Sequence, residues 1–164
     1  MCLDLHPSCK YIASAGMDNV ILLWDINRQV PPNRLTGHKN QIHDLKFSPN
    51  GNLLVSASSD ESLKFWEVDF DSKAKEVSLI KAHNARIRSI GFSCDGLLLS
   101  TCGDDKLVKV WSTVDRRLQY TLKKHDNWAR YCEFSPTATN IVSCDDKKII
   151  IWDLNTKKPI QTYQ

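Results

Sequence analysis

The sequence predicts an all-β protein built from four successive repeats of four short antiparallel strands. Apolar runs of four to six residues alternate with polar turns, which is the periodicity of strands rather than of helices. Fifteen of the 19 acidic residues are Asp, which favours turns and caps over helix interiors. Four apolar runs close with a Trp, at separations of 42, 45 and 41 residues, so the chain repeats itself. These residues are Trp24, Trp66, Trp111 and Trp152.

The four repeats span residues 1–164 without an intervening linker, at approximately 1–36, 37–81, 82–123 and 124–164. In each repeat an Asp lies six residues before the Trp, and a strand-like stretch ends in an apolar residue before a turn. The second repeat shows the pattern most clearly, because Pro49-Asn-Gly51 supplies a turn between two apolar runs. Its strands are predicted at Ile42–Phe47, Leu53–Ser58, Leu63–Val68 and Val77–Lys81. The other repeats carry the same four runs in the same order.

Composition and charge exclude several classes of protein. The net charge of +3 is spread over the chain, without the basic tract of a dedicated nucleic-acid binder. The longest apolar run is Val20–Trp24, far short of the roughly 20 residues that span a bilayer, and the first residues do not resemble a secretory signal. We therefore expect a cytosolic protein with no membrane segment. The six Cys lack the spacing of a metal site and are predicted to be buried free thiols.

A His lies between one Trp and the next, in Gly37-His38, Ala82-His83 and Lys124-His125, at spacings of 45 and 42 residues. A Gly-His followed by a Trp-Asp, at a period of about 40–45 residues, is the signature of the WD-repeat β-propeller family, which this chain resembles. The Trp-Asp pair is Trp-Glu in the second repeat and Trp-Ser in the third, and the fourth repeat is one residue shorter before Asp146. The resemblance implies that a His, a Ser or Thr, an Asp and a Trp form a structural hydrogen-bonded relay in each blade. The implied relays are His38, Ser56, Asp60 and Trp66; His83, Thr101, Asp105 and Trp111; and His125, Ser143, Asp146 and Trp152.

Enzyme and metal interpretations are weaker than this structural one. A catalytic Ser, His and Asp trio needs a pocket and an oxyanion hole once per protein, whereas this trio recurs in every repeat. We therefore predict no enzyme activity, no catalytic residue and no cofactor. The adjacent acids at 104–105 and 145–146 are expected to be solvated turn carboxylates rather than metal ligands. His6 and His43 lack partners at zinc spacing.

The entrances to the innermost strands indicate where a partner could bind. In Gln41-Ile-His43, Arg86-Ile-Arg88 and Trp128-Ala-Arg130 the middle residue is apolar, so the flanking side chains should project together. Exposed Arg and Trp have the composition of an interaction hot spot. The candidate partner-binding residues are His43, Arg86, Arg88, Trp128 and Arg130. The alternative is that Trp128 packs on a neighbouring blade and that the arginines pair with Asp104 or Asp145.

Four strings resemble the first half of the propeller in the proteome of centriole protein one family. The string His125-Asp-Asn-Trp-Ala-Arg130 carries most weight, because a blade does not require this Trp. The other strings are Leu35-Thr-Gly-His-Lys39, Ala82-His-Asn-Ala-Arg-Ile-Arg-Ser89 and Asp104-Asp-Lys-Leu-Val-Lys-Val-Trp111.

This second resemblance implies a non-enzymatic scaffold of centrioles and basal bodies, located in the cytoplasm and cytoskeleton, that binds and stabilises the microtubule wall. Tubulin or other centriole proteins would be the partners, with no nucleic acid and no membrane. The family has a seven-bladed ring, so we expect the remaining blades to come from missing sequence or from a second chain, and a half ring to be poorly soluble. The alternative is a WD-repeat adaptor of another complex, such as a ubiquitin-ligase substrate receptor or a chromatin or signalling scaffold.

Overall fold

A computed structural model describes residues 1–68 and 74–164, and all the regular structure in these residues is β-strand. Residues 69–73, which belong to the second predicted repeat, lie outside the described residues. No helix in the described ranges is long and apolar enough to cross a membrane. The strands are β1 (Cys2–Leu5), β2 (Tyr11–Ala15), β3 (Val20–Asp25), β4 (Asn33–Thr36), β5 (Ile42–Phe47), β6 (Leu53–Ser58), β7 (Ser62–Glu67), β8 (Lys75–Lys81), β9 (Ile87–Phe92), β10 (Leu98–Gly103), β11 (Leu107–Ser112), β12 (Leu118–Lys123), β13 (Tyr131–Phe134), β14 (Asn140–Cys144), β15 (Ile149–Asp153) and β16 (Lys158–Tyr163).

These strands form four antiparallel sheets, each made of four consecutive strands. The orders are β1-β2-β3-β4, β5-β6-β7-β8, β9-β10-β11-β12 and β13-β14-β15-β16. The all-β fold of four-stranded antiparallel blades is therefore confirmed. In the second sheet β5 and β6 have the predicted bounds, whereas β7 begins and ends one residue early, at Ser62 and Glu67. The fourth strand starts at Lys75, two residues before its predicted start.

The chain divides into two compact units, each of which contains two sheets. Residues Met1–Arg86 form the first unit, and Ile87–Gln164 form the second. In the first unit Ile21 and Leu23 of one sheet pack with Leu45, Leu54 and Trp66 of the next in a single buried cluster. The second unit has an equivalent cluster, which joins Val108, Val110 and Leu122 of β11 and β12 to Ile150 and Trp152 of β15. The core of each unit is therefore the apolar layer between two sheets.

The six thiols are all free, but burial distinguishes them. Cys102 on β10 and Cys132 on β13 are buried, and Cys2 and Cys144 are partly buried. Cys9 and Cys94 are exposed, so the prediction that every thiol is buried was wrong for these two. The physical reason is that both lie in turns, outside the strands that supply the core.

Candidate functional site

Four side chains of the second sheet form a continuous buried relay. The Trp66 indole Nε1 donates to Ser56 Oγ at 2.9 Å, and His38 Nε2 lies 2.7 Å from the same oxygen. His38 Nδ1 lies 2.9 Å from Asp60 Oδ2. A carboxylate only accepts, so Nδ1–H donates to Asp60. In the neutral imidazole Nε2 then accepts from Ser56 O–H, while the Ser56 oxygen accepts the indole N–H. The structure thus brings together all four residues assigned to this blade.

Both ionisable groups of this relay have shifted pKa values. Burial lowers the pKa of His38, against the opposing effect of Asp60. Burial alone would raise the pKa of Asp60, but hydrogen bonds from Ser62 Oγ, the Lys39 amide and His38 outweigh it and lower the pKa to about 2. The relay is therefore held with a neutral imidazole beside an ionised carboxylate at neutral pH.

The fourth sheet repeats the relay with a different carboxylate from the one predicted. Trp152 Nε1 donates to Ser143 Oγ at 2.8 Å, and His125 Nε2 lies 2.7 Å from that oxygen. His125 Nδ1 lies 2.8 Å from Asp145 Oδ2. The assignment of Asp146 to the relay was therefore wrong, and so was the expectation that Asp145 is solvated, because its side chain is 1% exposed.

The turn between β14 and β15 explains this exchange. In the first three sheets the residue directly after the relay-position Asp has a positive φ: Asn19 at 62°, Glu61 at 68° and Lys106 at 67°. The fourth turn is one residue shorter, and the Asp145 amide donates to the Lys148 carbonyl at 2.9 Å instead. This tighter turn directs the earlier carboxylate towards the imidazole. The shortened spacing was visible in the sequence, but its consequence depended on the turn geometry.

In the remaining two sheets the Trp indole and a hydroxyl pair in the same way. In the third, Trp111 Nε1 donates to Thr101 Oγ1 at 3.0 Å, and the Asp105 carboxylate accepts from the Leu107 amide at 3.2 Å. His83, which belongs to the first unit, is buried. In the first sheet Trp24 Nε1 donates to Ser14 Oγ at 2.9 Å, although this Trp is 41% exposed.

The Ser-His-Asp order within these relays matches that of a hydrolase, but the hydroxyls cannot reach a substrate. Ser56 and Ser143 have no exposed surface, and each hydroxyl oxygen already accepts a Trp N–H. A nucleophilic Ser needs access to a pocket with oxyanion donors. In these two sheets the trio is therefore structural. Among the described residues, no group of three or more His, Cys, Asp or Glu is arranged to hold a metal ion.

An exposed indole flanked by two arginines forms the candidate site, which we call the tryptophan cluster: Arg88, Asp104, Trp128, Arg130 and Asp146. Trp128 is 44% exposed, and the guanidinium carbons of Arg88 and Arg130 lie 5.7 Å and 5.3 Å from its ring centroid. These distances are within the range of cation–π attraction. The neighbouring residue Ala129 is fully buried and anchors the segment. The predicted alternation of buried and projecting residues is thus present here.

Each arginine of the cluster is held by a two-point contact with a carboxylate. Arg88 Nε and Nη2 donate to Asp104 at 2.7 Å and 3.1 Å, and Arg130 Nε and Nη2 donate to Asp146 at 2.9 Å and 3.1 Å. The hydrogen bond to Asp146 raises the pKa of Arg130 further above its usual value. The arginines therefore pair as the alternative interpretation foresaw, except that Asp146 replaces Asp145. Two cations beside two carboxylates give a rigid, nearly neutral surface rather than a strongly basic rim.

The other two predicted binding residues lie in the first unit. His43 is half-buried, and its Nε2 lies 2.6 Å from Ser59 Oγ. Arg86 is exposed. Asn127 lies next to the tryptophan cluster and was not predicted as a site residue. Asn127 donates to Asp146 Oδ2 at 3.0 Å, and its Oδ1 accepts the Trp128 amide at 2.8 Å.

Comparison with known proteins agrees with the repeat pattern. The family model described as "WD domain, G-beta repeat" matches residues 1–25, 29–67, 74–112 and 116–153. Transcription initiation factor TFIID subunit 5 of Caenorhabditis elegans is 35% identical over 42% of this chain and 11% of its own length. Pre-mRNA-processing factor 19 of Oryza sativa subsp. japonica is 34% identical over 51% and 16%. Nuclear distribution protein nudF 2 of Talaromyces marneffei is 35% identical over 40% and 14%.

The chain spans less than a fifth of the length of these curated relatives. The family match, in contrast, covers most of the chain in four consecutive copies. The second, third and fourth copies each begin at the last strand of one sheet and end at the third strand of the next. WD repeats form scaffolds for protein interactions, and an exposed Trp held by two arginines suits such a role. Because the family model matches four consecutive copies over most of its length, the chain belongs to the WD-repeat family.

Proposed function

We propose that this chain is a non-enzymatic scaffold of centrioles and basal bodies, which binds the microtubule wall through the tryptophan cluster and stabilises it. The observation that carries the binding site is the exposure of Trp128 between two arginines whose positions are fixed by carboxylates. A large apolar ring costs free energy when it is left in water. Trp128 is not a member of any relay, so the blade does not need this ring for its own hydrogen bonds. Trp and Arg are also the residues most enriched at the centres of protein interfaces.

The proposed location in the centriole rests on the string from His125 to Arg130, which resembles the centriole family and contains a Trp that the blade itself does not require. The tryptophan cluster is nearly neutral, so we expect contact through the ring and the remaining guanidinium N–H groups rather than through long-range attraction. Binding to tubulin or another centriole protein should therefore depend only moderately on salt. The proposed localisation is the cytoplasm and cytoskeleton, at the centriole or basal body.

Co-sedimentation with stabilised microtubules over a salt series tests this proposal. We expect the wild-type chain to pellet and Trp128→Ala to bind at least about 30-fold more weakly, the loss typical of a hot spot. The matched control is Trp24→Ala, because Trp24 is almost equally exposed at 41% and lies in the other unit. Circular dichroism should show the same β-content for all three proteins.

The outcomes separate the binding site from the identity of the partner. Equal loss for both Trp variants would refute the tryptophan cluster as the site. Failure of the folded wild-type chain to pellet would count against direct microtubule binding. An adaptor role in another complex would then be favoured, as a ubiquitin-ligase substrate receptor or a chromatin or signalling scaffold. The names of two relatives, a subunit of a transcription initiation factor and a pre-mRNA-processing factor, favour this second candidate.

A further inference from the structure

The first sheet has one buried face and one exposed apolar face. On the buried face Ala13, Ile21 and Leu23 belong to the core cluster of the first unit. Alternate residues of a strand lie on opposite faces, and the registers of this sheet contain no irregularity. Leu22 and Trp24 therefore lie on the exposed face, with the residues that pair with them across β2 and β1. We call this surface the Trp24 face: Leu3, Leu5, Ile12, Leu22 and Trp24.

The Trp24 face has the same construction as two faces that are buried. One row of it, across three strands, consists of Leu5, Ile12 and Trp24. The corresponding rows are Phe47, Leu54 and Trp66 in the second sheet, and Phe134, Ile141 and Trp152 in the fourth. The side chains of these two rows are at most 8% exposed, whereas Leu5 is 47% exposed and Trp24 is 41% exposed. The first sheet therefore exposes a layer of core composition.

The core cluster of each unit shows what covers such a face. In the first unit Ile21 and Leu23 of β3 pack with the row that contains the Trp of the second sheet. In the second unit Val108 and Val110 of β11 do the same for the fourth sheet. All four lie three residues or one residue before the Trp of their own strand, on the opposite face from it. The surface that fits a Trp face is thus the aliphatic face of another sheet.

The fourth sheet exposes an aliphatic face of this kind. Ile149 and Ile151 lie three residues and one residue before Trp152, on the face opposite to it. Val142 pairs with Ile151, and Tyr163 pairs with Ile149, so all four side chains share this face. Val142, Ile149 and Tyr163 are 39%, 47% and 49% exposed. We call this surface the Ile149 face: Val142, Ile149, Ile151 and Tyr163.

The apolar side chains of both faces are contiguous rather than scattered. A concavity of about 420 Å³ adjoins Val20 and Leu22 on the first sheet, and another of about 420 Å³ adjoins Ile149 and Tyr163 on the fourth. Single exposed apolar side chains are common on protein surfaces. Contiguous apolar patches instead mark sites of interaction. Each face is therefore suited to burial against a partner.

We propose that the Trp24 face of one copy of this chain binds the Ile149 face of a second copy. The two faces are different surfaces of the chain, so the contact is head-to-tail rather than between identical patches. It repeats the layer of both core clusters, with aliphatic side chains of one sheet packed on the Trp row of the next. This interaction goes beyond the proposed function and does not involve the tryptophan cluster.

Sedimentation velocity of the full chain over a concentration series tests this proposal. Each variant replaces two apolar residues that the structure leaves exposed, and circular dichroism checks that its β-content is that of the wild type. The control changes the charge equally, at side chains that are 53% and 71% exposed in turns of the third sheet. The variants are Leu3→Glu/Leu5→Glu for the Trp24 face, Val142→Glu/Ile149→Glu for the Ile149 face and Leu97→Glu/Val114→Glu as the control.

We expect the wild-type chain and the control variant to associate reversibly, and each face variant to associate at least about tenfold more weakly. An equimolar mixture of the two face variants should form pairs, because each variant retains the face that the other lacks. This rescue distinguishes the head-to-tail contact from a contact between identical faces. In the latter case one face variant alone would associate as the wild type does.

Hydroxyl-radical footprinting of the wild-type chain gives a second readout that needs no substitution. As the concentration rises, Trp24 and Tyr163 should become protected, whereas Trp128 should stay reactive. The proposal is overturned if the wild-type chain remains monomeric, if the control variant loses association, or if the mixed face variants do not pair. Microtubule binding by a chain that remains monomeric would refute this contact and leave the proposed function standing. Below the concentration at which copies associate, Trp24→Ala remains a valid control for the tryptophan cluster.

Discussion

Replacement of Asp145 by Ala should destabilise the second unit far more than replacement of its neighbour Asp146. Asp145 accepts hydrogen bonds from three donors: His125 Nδ1 at 2.8 Å, the Lys147 amide at 2.8 Å and the Lys148 amide at 2.9 Å. Asp146 instead accepts from Arg130 and Asn127 at a position that is 43% exposed. The two carboxylates are adjacent in sequence, so the pair of variants isolates burial and hydrogen bonding from residue type.

The magnitude follows from what each substitution leaves without a partner. Asp145→Ala leaves the buried Nδ1–H of His125 without an acceptor, which costs about 1–3 kcal/mol of stability. It also removes two hydrogen bonds of the turn, which contribute about 1 kcal/mol each. The resulting loss in the free energy of unfolding is about 3–5 kcal/mol. Asp146→Ala leaves Arg130 in contact with water, and a surface ion pair contributes about 0.5 kcal/mol. The expected difference between the variants is therefore about 2 kcal/mol or more.

Urea unfolding, followed in parallel by circular dichroism and by tryptophan fluorescence, measures this difference. Trp152 lies in the relay that Asp145 completes, so its emission should report the loss directly. The comparison is valid if the dependence of the unfolding free energy on urea is the same for all three proteins. An equal or larger loss for Asp146→Ala would refute the assignment of Asp145 to the relay and restore the spacing-based one.

Three further predictions concern pH, a turn and the thiols. The pKa of Asp60 falls from 3.8 to about 2 on folding, so the ionised carboxylate stabilises the fold by about 2 kcal/mol above about pH 4, and this stabilisation is lost as the pH falls towards 2. In Asp60→Asn the free energy of unfolding should therefore vary less between pH 4 and pH 2. The same loss of stability in the variant and the wild type over this range would contradict the prediction. Gly51 has φ of +79°, and a Cβ there would lie 2.2 Å from His6 Nε2. Gly51→Ala should therefore lower the free energy of unfolding by about 2 kcal/mol. Thermal unfolding of this variant with and without His6→Ala separates the steric clash from the backbone strain, and an unchanged melting temperature of Gly51→Ala would exclude both. Cys9 and Cys94 should react with a thiol reagent under native conditions before the buried thiols do, and mass spectrometry that found the reverse order would contradict the assigned exposure.

The fold could be predicted from the sequence because the same order of apolar runs and polar turns recurs four times along the chain. A strand places alternate side chains on opposite faces, so runs such as Ile42–Phe47 and Leu53–Ser58 identify strands without further information. The relay in the second sheet could also be predicted, since an imidazole, a hydroxyl, a carboxylate and an indole N–H must find partners when they are buried. These features depend on local spacing and on simple hydrogen-bonding capacity.

The predictions failed where a single residue changed the local geometry or where charges met across strands. Asp145 and Asp146 have nearly the same sequence context, and only the conformation of the shorter turn decides which one reaches His125. Likewise, Arg88 and Arg130 indicate a basic surface until Asp104 and Asp146 are placed beside them. Sequence spacing does not encode these cross-strand distances.

The sequence by itself determined the four-repeat, all-β organisation and the family of this protein. Both follow from periodicities of two residues and of 41–45 residues, which are properties of the chain order. The tertiary structure alone decided which carboxylate completes the relay of the fourth sheet and how far the arginines around Trp128 are neutralised. Hydrogen bonds and ion pairs depend on distances of about 3 Å between residues remote in sequence, and only packing of the strands into sheets sets those distances.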